Sequence, residues 1–186
     1  MYNFAVDVTI RRETPADVIP LDGLLLAAFP DEGPVIVALV ADLRRHPCGR
    51  DHLAWVAKVD GEVVGFVMVT RNRLDTAPRT IEVGVLSPLA VAPTHQHAGI
   101  GSALVTQAVE GARAAGLPAL FLEGDPAYYQ GRGFVPGEPL GFRKPSLRIP
   151  DEAFQVVLLP SHEEWMSGTL VYAEPFWDHD CVGLRD

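Results

Sequence analysis

Val6, Val8 and Ile10 alternate with polar neighbours at the two-residue period of a half-buried strand, which predicts a strand near the start of the chain. Thr14, Pro15 and Asp17 then combine an N-cap residue, a first-turn proline and an early acid. They predict a helix running toward Phe29, with Pro20 and Gly23 as the positions able to bend it. A second helical stretch over residues 34–46 ends in Arg44 and Arg45, whose charges suit the negative end of a helix dipole. Residues 53–59 and 62–70 are β-rich runs joined by Asp60-Gly61, a strong two-residue hairpin signal, and predict an antiparallel pair. Residues 80–92 are strand-like as well, but Pro88 cannot donate a ladder hydrogen bond, so a bulge or splay is expected there.

Residues 99–115 place Ile100, Leu104, Ala108 and Ala112 on one side with Val105 and Val109 beside them, the broad apolar face of an amphipathic helix. Gly116 caps that helix and Pro118 stops it. Residues 119–122 follow as a buried strand, and Asp125-Pro126 has the form of an N-cap and first residue of a short helix carrying Tyr128 and Tyr129. The predicted order is β-α-α-β-β-β-α-β-α. Beyond Gly133, prolines 136, 139, 145 and 150 space out irregular chain until residues 153–159 and 169–172 resume as strands that complete the sheet. That tail is too short to carry its own core, so residues 1–186 are expected to form a single domain.

Composition narrows the function. With 48% apolar and 21% charged residues the chain can bury a core, and its formal charge of −9 disfavours a surface that tracks nucleic-acid phosphates while leaning toward cationic small substrates. With Asp7, Arg11, Arg12 and Glu13 in the first turns, no apolar signal-peptide region is expected. No charge-free stretch reaches the roughly 18 residues of a membrane span, so a cytoplasmic protein without membrane attachment is expected. Cys48 and Cys181 lie far apart with no Cys or His at metal spacing, which predicts free thiols and no metal site.

The candidate chemistry lies around Gly99-Ile100-Gly101. Leu104 stands where a dinucleotide fingerprint needs its third glycine, and an antiparallel hairpin precedes the segment, so a nicotinamide-dependent oxidoreductase is disfavoured. The local order is instead a strand, a turn at Pro93, and Gln96-His97-Ala98-Gly99-Ile100-Gly101 opening a long helix. Free N–H groups and the positive end of the helix dipole converge there, as a pyrophosphate requires, and glycines at 99 and 101 let phosphates approach with no Cβ in the way. Val91-Ala92-Pro93 through Gln96-x-x-Gly99-x-Gly101 to Leu104 resembles the acetyl-CoA motif of the GNAT superfamily of N-acetyltransferases. Tyr128-Tyr129-Gln130-Gly131-Arg132-Gly133-Phe134 resembles the aromatic-Tyr-x-x-x-Gly-Phe segment that follows it there. The resemblance covers residues 6–160, and Asp125-Pro126-Ala127-Tyr128-Tyr129 resembles an uncharacterised bacterial branch.

The resemblance implies an α/β fold: a mixed, mostly antiparallel central sheet with helices on both faces and a V-shaped splay at the fourth strand. It also implies an acetyl-CoA-dependent N-acetyltransferase in which an amine of a small molecule or peptide attacks the thioester directly in a ternary complex. Gln96, His97, Ala98, Gly99, Ile100, Gly101 and Ser102 would hold the CoA pyrophosphate, and the main chain of Leu89, Ala90 and Val91 would pair with the pantetheine arm. Tyr129 would contact CoA and donate a proton to the departing thiolate, with Tyr128 as core. For the base, Glu82 is one candidate and Glu123 and Asp125 are others; the plainer roles are a solvent-facing strand position for Glu82 and a helix N-cap for Asp125. Asp31 and Glu32 would line the acceptor entrance. His97-Ala98 departs from the common pattern and reduces side-chain charge at the pyrophosphate, and His95 and His97 are either solvated loop or a source of pH dependence. The competing function is a non-catalytic acyl-CoA-binding module, which would bind the thioester but release no thiol. The expected partners are acetyl-CoA and an amine, with no nucleic acid and no membrane; an open sheet edge would let two copies pair as a homodimer.

Overall fold

The computed structural model describes residues 7–51 and 53–183, so Val6 of the first expected strand lies outside the described residues. β1 (Val8–Arg12) leads through a 3-10 turn at Pro15–Asp17 into α1 (Val18–Ala28), followed by α2 (Gly33–Arg45). Asp17 ties the turn down. Its buried carboxylate accepts from the Arg11 guanidinium at 2.6 and 2.8 Å and from the Thr14 N–H and hydroxyl at 2.9 and 2.7 Å. β2 (Ala54–Val59) and β3 (Glu62–Thr76) form the expected hairpin, closed by Asp60 and Gly61 at φ of +50° and +85°, the left-handed pair that matches strand twist. β4 (Thr80–Val91), α3 (Ile100–Ala114), β5 (Ala119–Glu123) and α4 (Pro126–Tyr129) follow in the predicted order.

The remaining elements are β6 (Val135–Pro136), β7 (Phe142–Arg143), β8 (Phe154–Leu158), β9 (Gly168–Val171) and α5 (Glu174–Asp178). Along the main path the strands order β1-β2-β3-β4-β5-β8-β6, antiparallel except for β4–β5. The expected completion of the sheet happens at two places. β8 joins β5, whereas β9 pairs with the far half of β3, from Arg73↔Val171 to Thr76↔Gly168. β3 runs past its expected end at Thr70 to provide that partner, and the chain after β9 thereby returns to the centre of the molecule.

The splay is visible in the register. Val67 faces Leu89 and Val69 faces Leu86, so Ser87 and Pro88 bulge opposite Met68. β4 pairs with β5 at Gly84↔Leu120 and Val85↔Phe121 and no further, although β4 continues to Val91 and β5 to Glu123. The β4 edge beyond Val85 therefore has no β5 ladder. One face of the sheet, including Phe66, Met68 and Phe121, is covered by Leu21, Leu25, Leu39, Leu43 and Phe176 from α1, α2 and α5. The other, including Ala57, Val67, Val69 and Leu120, is covered by Leu104, Val105, Ala108 and Ala112 of α3. Each such leucine, valine or phenylalanine contributes about 1.5–3 kcal/mol on leaving water, so the two packed faces hold the gap between β4 and β5 in place. Among the described residues no helix is long and apolar enough to cross a membrane.

Candidate active site

A cleft of about 570 Å³ opens at the N-terminus of α3. The loop before the helix turns through two left-handed residues, His97 at φ +60° and Gly99 at φ +85°. Gln96 fastens it to the end of β4, its side-chain amide donating to the Val91 carbonyl at 3.2 Å. The first intrahelical bond runs from Ala103 N–H to Gly99 O at 3.1 Å, so the N–H groups of Ile100, Gly101 and Ser102 are not consumed by the helix and carry its positive dipole end. Gly99 is needed for its φ. Gly101 is needed for space, because a Cβ there would lie 2.3 Å from the Tyr128 hydroxyl.

Leu89, Val91, Gln96, His97, Gly99, Gly101 and Ser102 share this cleft. The other four expected contacts, Ala90, Ala98, Ile100 and Tyr129, do not line it. Ala90 packs into the core of the opposite sheet face, Ile100 is buried beneath α3, and Ala98 is exposed outside the cleft lining, so these three have only their backbones to offer. His95 lines the cleft with its Nδ1 3.0 Å from the Thr94 hydroxyl.

The expected loss of side-chain charge in Gln96–Ser102 is offset by a residue of the second motif. Arg132, the last residue of a 3-10 turn over Gln130–Arg132 that follows α4, lines the same cleft. Its Nε and Nη2 donate to Ser102 Oγ at 3.1 and 2.6 Å, its Nη1 donates to the Tyr128 carbonyl, and its guanidinium carbon sits 3.6 Å over the Tyr128 ring. A cation is thus held beside the free N–H groups of α3. The sequence carried one weak signal of this, an arginine within the second motif; its fold onto Ser102 was not readable.

The two tyrosines also take different places from those expected. Tyr128, expected in the core, lines the cleft, while Tyr129 is only 9% exposed and packs edge-on to Phe134 with centroids 5.7 Å apart. The rings of the pair meet nearly perpendicular at 4.8 Å. Burial, with the neighbouring Tyr128 second, pushes the Tyr129 phenol up, and only Arg132 opposes this. Adjacent residues on a helix point about 100° apart, so one of the pair had to face inward; the four-residue length of α4 left no apolar period to say which.

On the opposite face of the sheet a second cavity of about 280 Å³ lies between the α1–α2 connection, the β4 bulge, the end of β5 and the C-terminal segment. Glu123 reaches it. Its Oε1 accepts from the Tyr172 hydroxyl at 2.7 Å and its Oε2 from the Gly183 N–H at 3.0 Å. Desolvation pushes this carboxyl up, while Tyr172, Gly183 and then Arg148 pull the other way. Of the two residues expected at an acceptor entrance, Glu32 lines this cavity and Asp31 is exposed in the turn outside it.

Glu82 is placed elsewhere. It is solvent-facing, with its side chain 46% exposed, and forms ion pairs with Arg50 and with Arg71, the latter at 3.2 Å. It touches neither the α3 cleft nor the Glu123 cavity, because it precedes the splay and lies on the outward phase of β4, next to the buried Val83. The expectation of a buried Glu82 acting as base is corrected accordingly. Asp125 caps α4, accepting from Ala127 N–H at 2.9 Å.

Comparison with known proteins agrees with this architecture. A family model described as Acetyltransferase (GNAT) family matches residues 25–142. Uncharacterized N-acetyltransferase YjhQ of Escherichia coli (strain K12) is 33% identical over 98 residues, which are 53% of this chain and 54% of that protein, so the match spans about half of that relative. The solved structure of a GNAT family N-acetyltransferase (YhbS) from Escherichia coli in complex with CoA superposes with a TM-score of 0.79 at 28% identity, covering 95% of both chains. A GNAT family acetyltransferase from Brucella melitensis in complex with acetyl-CoA superposes with a TM-score of 0.66 at 25% identity, covering 91% of this chain and 98% of that one.

Proposed function

The chain belongs to the Acetyltransferase (GNAT) family, and on that premise we propose that it is an N-acetyltransferase moving an acetyl group from acetyl-CoA to an amine by direct attack in a ternary complex. The observation that carries this reading is the pair of cavities on opposite faces of the sheet. Both border β4, one at Val85–Ser87 and the other at Leu89 and Val91, where the strand has left β5. An acyl donor held on one face can meet an acceptor held on the other only through such a gap.

The residues fit the donor. N–H groups from Gly99 to Ser102 and the Arg132 guanidinium suit a pyrophosphate. The unladdered β4 backbone from Leu89 to Val91 suits an amide-bearing arm. When bound, acetyl-CoA supplies a thioester carbonyl and a thiolate leaving group. The protein must orient both partners, accept a proton from the amine and stabilise the thiolate.

Tyr129, which packs behind Tyr128 rather than on the cleft wall, is assigned the thiolate. Its reference pKa of about 10 already exceeds that of a thiol near 8.5, and burial raises it further. It therefore keeps its proton and acts as a neutral hydrogen-bond donor to the sulfur. Tyr128 covers the CoA side of the cleft. The reading treats residues 1–186 as one catalytic domain working in the cytoplasm.

The experiment is thermal unfolding with and without acetyl-CoA, followed on the same sample by thiol release across a panel of amines. A ligand at about 100 times its Kd stabilises by about 2.7 kcal/mol, a shift of several degrees. Stabilisation with thiol release is the expected result. Absence of any shift would refute the donor site, and a shift with no thiol release from any amine would favour the binding module.

A further inference from the structure

We propose that the notch where β3 passes from β2 to β9 binds a small zwitterion, a free amino acid whose carboxylate meets Arg73 and whose ammonium meets Glu174. The notch follows from the sheet. The last β2 pair is Ala54↔Met68 and the first β9 pair is Arg73↔Val171, so Thr70, Arg71 and Asn72 have neither strand beside them on that edge. The Asn72 side chain spans the gap instead, its amide donating to the Thr70 carbonyl and hydroxyl at 3.2 and 2.9 Å and its oxygen accepting from Ala173 N–H at 2.7 Å. A cavity of about 320 Å³ stays open beside it, at the small end of the roughly 300–1,000 Å³ usual for ligand sites. It shares no residue with the α3 cleft and only Tyr172 with the Glu123 cavity, so it stands apart from the acyl-transfer reading.

The charges that line the notch are Arg50, Arg71, Arg73, Glu82 and Glu174. Three of them satisfy one another. Glu82 accepts from Arg50 and, at 3.2 Å, from Arg71, whose other bonds, at 3.0 and 2.8 Å, go to Asp51. Arg73 and Glu174 have no partner among the described residues, do not pair with each other, and carry opposite signs. Both stand at the β9 end of the gap, Arg73 as the residue opposite Val171 and Glu174 as the start of α5 just beyond it.

That arrangement selects the ligand. A simple anion would meet Glu82 and Glu174, and a simple cation would meet three arginines, whereas a molecule carrying both charges satisfies the two unpaired groups at once. Pro47, Val171 and Ala173 give its body an apolar patch. His46 accepts from Cys48 N–H at its Nδ1, 3.1 Å away, so in the neutral ring Nε2 carries the proton and is a further donor for the carboxylate.

The test is titration calorimetry on the full chain without acetyl-CoA, using L-leucine, N-acetyl-L-leucine, which lacks the ammonium, and L-leucinamide, which lacks the carboxylate. Leucine is expected to bind, and each derivative to bind about tenfold or more weakly, because each leaves one charged contact unmade. Arg73→Gln and Glu174→Gln are each expected to weaken leucine by about tenfold or more as well. The losses should be matched to the missing group. Glu174→Gln should leave N-acetyl-L-leucine unchanged, and Arg73→Gln should leave L-leucinamide unchanged. Both side chains are exposed, so both variants should keep the unfolding temperature of the wild type and its shift with acetyl-CoA. The proposal is overturned if leucine does not bind at millimolar concentration, or if the three ligands bind the wild type within about twofold of one another. It is overturned too if a variant weakens all three ligands equally, which marks a structural effect, or if leucine binds both variants as it binds the wild type, which places it in another cavity.

Discussion

Arg132→Gln asks whether the α3 cleft is a phosphate site. The guanidinium has five N–H donors; its contacts to Ser102 Oγ and the Tyr128 carbonyl use three nitrogens, and it remains on the cleft wall beside Gly99 and Gly101. Hydrogen bonds to charged groups contribute about 1.5–3 kcal/mol. A unit charge pair at about 4 Å adds roughly 1 kcal/mol in water and roughly 4 kcal/mol at an effective dielectric of 20. The cleft is open to solvent, so the wetter limit governs, and a loss of about 1.5–2.5 kcal/mol is expected, or roughly 10- to 60-fold in Kd. Titration calorimetry of CoA and acetyl-CoA at two ionic strengths measures it. The wild type should lose affinity more steeply with salt than the variant, because the variant has lost the screened charge. At saturating acetyl-CoA, kcat should be unchanged, since the cation holds ground and transition states alike. Binding by Arg132→Gln within about twofold of the wild type at low salt would refute the assignment of phosphates to this wall.

Three further predictions follow from single contacts. Gly101→Ala puts a methyl 2.3 Å from the Tyr128 hydroxyl and into the space above the helix N-terminus, so acetyl-CoA affinity is expected to fall about tenfold or more, with the apo unfolding temperature little changed because alanine is the better helix residue. Tyr129→Phe is expected to lower kcat about tenfold or more with little change in acetyl-CoA Kd, and Tyr128→Phe the reverse; steady-state kinetics beside calorimetry separates them, and equal kcat for Tyr129→Phe and wild type would remove the thiolate role. The Arg11 hydrogen bonds, with Thr14 adding to them against burial, hold the Asp17 carboxyl well below the usual carboxylate range. A depressed folded pKa contributes stability above the unfolded value of about 3.9, lost as pH falls below it. Asp17→Asn should therefore destabilise by roughly 2–3 kcal/mol at pH 7, and its unfolding temperature should converge on that of the wild type as the pH drops below about 4.

Much of the fold was legible because its signals are local. The Asp60-Gly61 turn needs two positive φ values, which the pair supplies wherever it stands, and the structure puts both residues there. Pro88 cannot extend a ladder, and the register slips at that point. The α3 stripe from Ile100 to Ala112 covers one sheet face, as a 3.6-residue period demands. The path of the tail was not legible. Short strands such as β6 and β7, with two residues each, have no period to detect, and β9 is recruited by an extension of β3 whose pattern, Arg71, Asn72 and Arg73, is polar. Asn72 is nonetheless buried, because its side chain accepts from Ala173 N–H at 2.7 Å and so anchors the chain after β9.

The sequence by itself determined the backbone chemistry of the donor cleft: a helix start with two glycines after a strand that proline interrupts. Backbone N–H groups, a helix dipole and the φ range of glycine depend on neighbours along the chain, so a contiguous segment suffices to specify them. Tertiary structure alone decided which side chains face that cleft and its counterpart. Arg132 reaches Ser102 across 30 positions of sequence and Tyr172 reaches Glu123 across 49. Which tyrosine turns inward depends on Phe134, and whether a glutamate is desolvated depends on what folds back over it. Burial and charge pairing are properties of surfaces brought together from distant segments, and they assigned Glu82 to solvent and Glu123 to the splay.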